Sequence, residues 1–205
     1  MALLITLEGP DGCGKSTQIG FLKEYFEGQG KKVLLAREPG GTSISEKIRE
    51  ILLDNDNSEM DYRAELFLYA AARAQLVGEV IKPALEAGTV VIMDRFVDSS
   101  AVYQGMARGL GVDTVYKVNE IGLDSVKIDL TILLDLPAEE GLKRKKSQHE
   151  MDRMEKESLD FHKKVAEGYR ELAARNPERI YKVDATKSVE EIRELILDRV
   201  KELMK

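Results

Sequence analysis

Short apolar runs recur along the chain, and stretches with helical periodicity separate each run from the next. The runs cover residues 3–7, 32–36, 89–93, 130–134 and 179–183. Strands that alternate with helices are typical of a parallel sheet with helices on both faces. Because no repeat or linker divides the sequence, the pattern predicts an α/β fold with a five-stranded parallel sheet, in a single domain over residues 1–205.

A glycine-rich loop joins the first apolar run to the next helical stretch. Its residues are Gly9, Pro10, Asp11, Gly12, Cys13, Gly14, Lys15, Ser16 and Thr17. This order fits the pattern G-x-x-x-x-G-K-[ST], in which backbone N–H groups and a helix N-terminus surround a phosphate. The loop is therefore predicted to bind a nucleoside triphosphate, with Lys15 contacting the β- and γ-phosphates and the Ser16 hydroxyl holding Mg²⁺.

Charged residues follow two other strands, at the sheet edge where ligands of such folds bind. The turn over residues 37–42 comes after the second run, and Asp94 and Arg95 come after the third. Either Asp94 or Asp135 fits the carboxylate that organises Mg²⁺ beside phosphate. Asp94 is favoured, because Arg95 supplies a cation for a phosphate-bearing acceptor. The alternative is that Asp94 caps the helix that begins near Asp98.

A long helix is predicted over about residues 63–87. Its apolar stripe comprises Leu66, Ala70, Arg73 and Val77. A guanidinium inside such a stripe needs a carboxylate, a phosphate or a base edge as its partner. Phe67 offers a stacking face nearby, although an aromatic residue on an amphipathic helix is more often core.

Composition narrows the possible partners. The chain has 37 acidic and 31 basic residues, with a net charge of -6, which argues against a nucleic-acid partner. A basic run over residues 143–146 is a candidate lid, or else a solvated helix end. One cysteine suits a reducing cytoplasm, and no apolar stretch reaches membrane length, so we expect a cytoplasmic protein without a membrane partner.

Several segments together carry a family resemblance. They cover residues 8–17, 37–42, 65–75, 94–96, 99–100, 103–105, 141–144 and 152–155. In their order and spacing these segments resemble bacterial thymidylate kinase, and the resemblance extends over essentially the whole chain. It implies a phosphate-loop nucleoside monophosphate kinase fold with a short lid over about residues 144–156. It also implies transfer from ATP-Mg²⁺ to thymidine 5'-monophosphate (dTMP), which gives the diphosphate on the path to dTTP, and a homodimer.

The resemblance also implies roles for individual residues. The implied acceptor site comprises Asp11, Arg37, Glu38, Phe67, Arg73, Arg95, Ser99, Ser100, Tyr103 and Gln104. Phe67 would stack on thymine, and Arg73 and Ser100 would bind its edge. Asp11 would accept a hydrogen bond from the 3'-hydroxyl, and Tyr103 would lie where a ribose 2'-hydroxyl needs room. Arg37 and Arg95 would hold the monophosphate, and Arg144 would lie beside adenine.

The chain departs from the family pattern at Gly12, where some members carry an arginine in the phosphate loop. Other members supply the cation from the lid, and here Lys146 and Gln148 stand where lid arginines are common. The catalytic cations expected besides Lys15 and Arg95 are therefore Arg153 first and Lys146 second. An alternative for Arg153 is an ordinary helix-surface partner of Glu157.

Other functions remain open at this stage. A different nucleoside monophosphate kinase would share the loop and the sheet. A GTP-dependent switch would need N-K-x-D and a D-x-x-G beyond the phosphate loop, and the sequence has neither. A structural protein with this fold would bind ATP without acceptor-dependent turnover.

Overall fold

The sheet is five-stranded and parallel, as the apolar runs predict. The computed structural model describes residues 2–146 and 151–205. The strands are β1 (Leu3–Glu8), β2 (Val33–Arg37), β3 (Val90–Asp94), β4 (Leu130–Asp135) and β5 (Ile180–Asp184). Their order is β2-β3-β1-β4-β5, so the strand before the glycine-rich loop lies at the centre of the sheet. Every neighbouring pair of these strands is parallel.

Each strand ends one residue later than its apolar run. The added residues are Glu8, Arg37, Asp94, Asp135 and Asp184. The apolar pattern misses them because a charged residue at the last strand position can lie at the sheet edge while its backbone still pairs. In the register of the sheet, Asp94 is paired with Leu7 on one side and Arg37 on the other. The three strands β2, β3 and β1 therefore deliver their last residues to one place.

Helices cover both faces of the sheet. They are α1 (Lys15–Gly28), α2 (Ser43–Leu53), α3 (Tyr62–Leu76), α4 (Lys82–Glu86), α5 (Val97–Ser100), α6 (Val112–Leu123), α7 (Ala138–Lys146), α8 (Leu159–Arg175) and α9 (Val189–Leu203). Among the described helices, none is both long enough and apolar enough to cross a bilayer.

The side chains of β1 alternate between two cores. Leu3, Ile5 and Leu7 pack with residues of α1 and α9 on one face of the sheet. Leu4 packs on the other face, with residues at the end of α3 and along β3. This alternation is the period of two expected of a strand that is buried on both faces. The phosphate loop therefore starts from a strand that is fixed on both sides.

The helix predicted over residues 63–87 contains a π-helical turn. It runs as α3, then as a π-helical turn over Val77–Ile81, then as α4. The turn lies just before Pro83, which has no N–H and whose ring would collide with the carbonyl four residues earlier. Local widening of the backbone avoids that collision and keeps the helix continuous.

Candidate active site

The phosphate loop has the backbone that its glycines predict. Gly9, Gly12 and Gly14 have φ values of 140°, 73° and 96°, which side chains rarely tolerate. Helix α1 starts directly after Gly14, with no side-chain cap and no acidic residue in its first turn. Its first N–H groups and the positive end of its dipole are therefore directed at an anion. The Nζ of Lys15 lies 3.4 Å from the carbonyl oxygen of Pro10, within the loop.

A cleft of about 400 Å³ opens over this loop at the carboxyl edge of the sheet. Most residues predicted for the site line it: Asp11, Gly12, Gly14, Lys15, Ser16, Thr17, Arg37, Glu38, Arg73, Asp94, Arg95, Ser99, Ser100, Tyr103 and Gln104. Its wall also includes Arg49, Tyr69, Lys145, Asp152 and Glu155, none of which the sequence pattern predicts as a site residue. The loop and the strand ends thus share one chamber.

Arg95 lies between the phosphate loop and the opposite wall. Its backbone has φ 67°, a strained conformation for a residue with a side chain. The guanidinium donates to Asp11 Oδ1 at 2.8 Å, to Tyr169 Oη at 3.0 Å and to Ser99 Oγ at 3.2 Å. It also lies over the Tyr103 ring, 5.4 Å from the centroid. Several contacts thus hold one cation at the centre of the cleft.

Asp11 is kept ionised by the cations around it. Burial works against its charge, but Arg95, Lys15 and, more weakly, Lys145 outweigh burial and lower the pKa of Asp11 to about 2. The carboxylate is therefore an acceptor at neutral pH, as its expected contact with a sugar hydroxyl requires.

Arg73 has the buried partner that its place in the apolar stripe demands. Its guanidinium is almost fully buried and donates to Glu38 Oε2 at 2.5 and 2.8 Å and to Ser100 Oγ at 3.1 Å. Asn119 accepts a further hydrogen bond at 2.5 Å. Burial raises the pKa of Glu38, and Arg73 opposes that effect. The partner is therefore a carboxylate, and Arg73 still lines the cleft.

The expectation that Phe67 stacks on the acceptor base is wrong in this structure. The side chain of Phe67 is 61% exposed and does not line the cleft, whereas Tyr69 does. Residues four apart share a helix face, so Tyr69 lies one turn before Arg73, and Phe67 points to another side. The four-residue spacing from Arg73 was the signal that would have selected Tyr69.

Helix α7, which leads into the segment expected to form the lid, packs against the phosphate loop. A Cβ on Gly141 would lie 2.2 Å from the carbonyl oxygen of Asp11, so the two backbones are in close contact. Arg144 donates to the carbonyl oxygen of Gly12 at 3.3 Å, although it does not line the cleft. Lys145 lines the cleft and pairs with Glu155 Oε1 at 3.0 Å. The side chain of Lys146, and residues 147–150 with Gln148 among them, lie outside the described part.

The assignment of Arg153 as the lid cation is corrected by the structure. Its side chain is buried, pairs with Glu65 Oε2 at 2.8 Å and donates to the carbonyl oxygen of Leu52 at 2.7 Å. It is absent from the described wall of the cleft. The same Glu65 carboxylate also binds Arg108. Arg153 therefore ties the far end of the lid to α3, a role different from both the catalytic and the surface interpretation.

The two candidate metal carboxylates have different surroundings. Asp94 lines the cleft together with Ser16. It does not cap the next helix, because α5 begins at Val97 without a side-chain cap. Asp135 instead accepts from Arg170 at 2.9 Å, as a strand exit would. The preference for Asp94 is consistent with this geometry, and hydroxyl and carboxylate oxygens are ligands that Mg²⁺ accepts.

Arg49 and Cys13 have surroundings that the sequence pattern does not show. Arg49 on α2 lines the cleft and donates to the carbonyl oxygen of Pro39 at 3.0 Å. Arg37 also donates to this carbonyl oxygen, and burial and the adjacent Arg37 lower the pKa of Arg49. The Cys13 side chain is 2% exposed and packs in the core, with its Sγ 3.8 Å from Lys15 Nζ.

The fold and the site together define a phosphate-loop nucleoside monophosphate kinase. The phosphate loop follows the central strand of a parallel sheet, and Arg37, Arg49 and Arg95 line the cleft opposite that loop. The family model for thymidylate kinase matches residues 7–196. The chain is 50% identical over 200 residues to the thymidylate kinase of Thermoanaerobacter sp. (strain X514), with 98% of each chain covered. It is 45% identical over 205 residues to that of Bacillus pumilus (strain SAFR-032), with 99% of this chain and 97% of the relative covered.

A solved structure shows the same likeness. The crystal structure of thymidylate kinase from Ehrlichia chaffeensis superimposes with a TM-score of 0.79 at 28% identity, covering 97% of this chain and 98% of that one. The chain belongs to the thymidylate kinase family. The function of this family is phosphorylation of dTMP to the diphosphate with ATP.

The site predicts a pH dependence of stability through Glu8. Its buried carboxylate accepts from Phe96 N, Ser99 Oγ and Tyr169 Oη. Burial and then Asp98 raise the pKa of Glu8 from 4.5 to about 7, against Arg95. When folding raises the pKa of a carboxyl group, the group contributes to the free energy of unfolding. That contribution is fully present below the pKa of the unfolded chain and is lost as pH rises through the pKa of the folded protein.

We therefore expect the free energy of unfolding of the wild type to fall relative to Glu8→Gln between about pH 4.5 and 7. The expected relative change is up to about 3 kcal/mol, because one pKa unit corresponds to about 1.36 kcal/mol. Urea denaturation across this range measures it. Parallel pH profiles for the two proteins would contradict the expectation.

Proposed function

We propose that the cleft binds ATP-Mg²⁺ on the phosphate loop and dTMP on the opposite wall, and transfers the γ-phosphoryl group between them. The observation that carries this proposal is the shared chamber, in which Lys15 and Arg95 face one space with Asp11 between them. The family membership supplies the reaction. Residues 1–205 would act as one kinase domain.

The acceptor would bind through groups that the fold has already ordered. Arg73 and Ser100 would bind the thymine edge, and Tyr69 on the same helix would offer the aromatic face. Tyr103 would contact the sugar and disfavour a ribose 2'-hydroxyl. The described contacts of Arg73 with Glu38 and Ser100 fix its orientation before the acceptor arrives.

The acceptor phosphate would bind to Arg95, Arg37 and Arg49. Arg95 would exchange part of its contact with Asp11 for the phosphate, which frees the carboxylate to accept from the 3'-hydroxyl. This exchange couples recognition of the two ends of the sugar. Gln104 and Ser99 would complete the wall.

Ser16 and Asp94 would hold Mg²⁺, which would neutralise charge on the β- and γ-phosphates. An oxygen of the acceptor phosphate forms the new bond to the γ-phosphorus, and the bond to the β-phosphate oxygen breaks as ADP leaves. No protein group needs to become covalently attached. Lys15 and Arg95 would orient the two phosphates and stabilise the charge that develops.

A cytoplasmic location without a nucleic-acid partner fits this reaction. The donor is ATP, the net charge is -6, and the one cysteine is buried as a free thiol. These observations support a cytoplasmic location, which we include in the proposal.

The first prediction from this proposal concerns the reaction itself. ADP release should depend on dTMP and should be much slower with AMP, CMP or GMP as acceptor. Lys15→Ala should lower kcat by about 10³-fold or more, because Lys15 stabilises the moving phosphoryl group. Lys23 lies on the same helix with a partly exposed side chain, so Lys23→Ala is the control and should keep wild-type turnover. Faster turnover of another monophosphate would overturn the acceptor assignment.

The second prediction separates Tyr69 from Phe67. Tyr69→Leu should raise the KM for dTMP by about tenfold, because stacking of a base on an aromatic ring contributes about 1–3 kcal/mol. Phe67→Leu is the matched control, and it should leave that KM within about twofold. Steady-state kinetics at saturating ATP measures both. The reverse order of effects would restore Phe67 to the acceptor site.

A homodimer through α3 and α6 is part of the proposal. Ile121 on α6 is 90% exposed and lines a shallow groove with Ala74 and Val118, and Phe67 on α3 is 61% exposed. Small residues bring the two helices together, since a Cβ on Gly122 would lie 3.2 Å from the Ala74 Cβ. An apolar face of this kind is typical of an interface between copies of one chain.

The third prediction tests this dimer. Light scattering should give twice the chain mass for the wild type and the monomer mass for Ile121→Asp, because a charge in an apolar interface is not compensated. Leu195→Asp places the same charge on the partly exposed side of α9 and should remain dimeric. A monomeric wild type would end the dimer proposal.

A further inference from the structure

The guanidinium of Arg73 binds mainly to groups of its own chain. Its side chain is 1% exposed, and a guanidinium carries five N–H donors. The Nε donor and one Nη2 donor bind Glu38, and the other Nη2 donor binds Ser100 Oγ at 3.1 Å. One Nη1 donor binds Asn119 Oδ1 at 2.5 Å. Within the described residues these contacts account for all donors but one, so a single N–H of Nη1 is left for a ligand.

Asn119 presents an oxygen to Arg73 because its amide is also held from the other side. The Asn119 side chain is 1% exposed, and its Nδ2 donates to the carbonyl oxygen of Val115 at 2.8 Å. A guanidinium has donors and no acceptor, so the amide nitrogen cannot face it. Both contacts therefore select the same orientation of the amide, with Oδ1 on Nη1 of Arg73.

Close packing of two helices brings Asn119 to this position. Gly122 on α6 faces α3, since a Cβ there would lie 3.2 Å from the Cβ of Ala74. Residues three apart share a helix face, so Asn119 leaves α6 toward the same neighbour. Ala74 directly follows Arg73 in α3. The oxygen of Asn119 thus reaches Nη1 from a different helix, whereas Glu38 comes from the turn after β2.

The remaining donor of Arg73 has a fixed direction. A guanidinium is planar, and three elements hold it here: the turn after β2 through Glu38, α5 through Ser100 and α6 through Asn119. Arg73 and Ser100 both line the cleft. Because the last N–H of Nη1 can only donate, it favours a base with a carbonyl oxygen at this place over a base with an amino group.

We propose that Asn119 is a positioning residue that determines which base the acceptor site takes, because it holds Nη1 of Arg73 so that the last N–H faces a base carbonyl. The inference rests on the proposed function, in which Arg73 binds the thymine edge. Asn119 is not part of the described wall of the cleft, so it acts through Arg73. Its effect is therefore on the binding of the acceptor and not on ATP or on phosphoryl transfer.

The test begins with substitutions at Asn119 in the full-length protein. Asn119→Leu removes both hydrogen bonds with a side chain of similar size. It should raise the KM for dTMP about tenfold and leave kcat within about threefold and the KM for ATP within about twofold, because a contact of the bound ground state is lost. Asn119→Asp keeps an oxygen acceptor for Nη1 and should return the KM for dTMP to within about threefold of the wild type.

Asn176→Leu is the matched control. The amide of Asn176 also donates to the carbonyl oxygen four residues earlier, that of Leu172, at 2.9 Å. Asn176 is likewise absent from the described wall of the cleft, and its amide is directed to α8. Asn176→Leu should leave the KM for dTMP within about twofold of the wild type, because the guanidinium of Arg73 is untouched.

A second acceptor separates positioning from a merely structural role. The 5'-monophosphate of 5-methyl-2'-deoxycytidine has an amino group where dTMP has a carbonyl oxygen. Calorimetric titration should show that the wild type binds dTMP at least about 10²-fold more tightly than this analogue. That ratio should fall about tenfold in Asn119→Leu and stay unchanged in Asn176→Leu. Partial unfolding alone lowers the active fraction and leaves the ratio as it is.

Thermal unfolding shows whether each variant is folded at the assay temperature. If Asn119→Leu is not folded, Asn119→Ala takes its place and should change the KM for dTMP and the binding ratio in the same direction. An unchanged ratio in a folded Asn119 variant overturns the proposal, as does an equal rise of the KM for dTMP in Asn176→Leu. Wild-type turnover of dTMP is measured separately and decides the proposed function, so the two failures are distinguishable.

Discussion

The buried carboxylate of Glu8 is the group on which the rest of the site depends. It lies at the end of the central strand and accepts hydrogen bonds from the Phe96 amide, the Ser99 hydroxyl and the Tyr169 hydroxyl. These three donors come from the turn after β3, from α5 and from α8. One acceptor therefore joins the base of the phosphate loop to the wall that carries the acceptor side chains.

This junction explains the strained backbone of Arg95. The residue before Phe96 is held from one side by pairing of its N–H with Leu7 and from the other by the Glu8 contact of the Phe96 amide. Such anchoring is what lets a non-glycine residue stay at positive φ. The strain turns the guanidinium into the cleft instead of along the strand. A buried carboxylate thus determines where a phosphate-binding cation points.

The sequence was sufficient for the features that depend on local pattern. The five apolar runs predicted the strands to within one residue at their ends, and the glycine spacing predicted the loop. Arg73 was recognised as a buried cation because a charge interrupts an apolar helical stripe. In each case a short stretch of chain contains the whole physical signal.

The features that the sequence does not predict depend on contacts between distant residues. Arg153 and Glu65 are far apart in sequence, so no local pattern shows that the one neutralises the other. In the sequence, Arg49 looks like an ordinary charged position on an amphipathic helix. Only the fold shows that it contacts the turn after β2. Tyr69 is different, since the four-residue step from Arg73 is present in the sequence and places both side chains on one helix face.

The contact of Gly12 with Gly141 links two positions that are far apart in the chain. Each glycine leaves room for the backbone of the other element, and a side chain at either position would separate loop and helix. The two positions are therefore not free to change independently. A side chain at position 12 would lie within 2.5 Å of the Gly141 carbonyl oxygen, so helix α7 would have to shift to make room for it. The conformation of the phosphate loop and the position of helix α7 are thus constrained together.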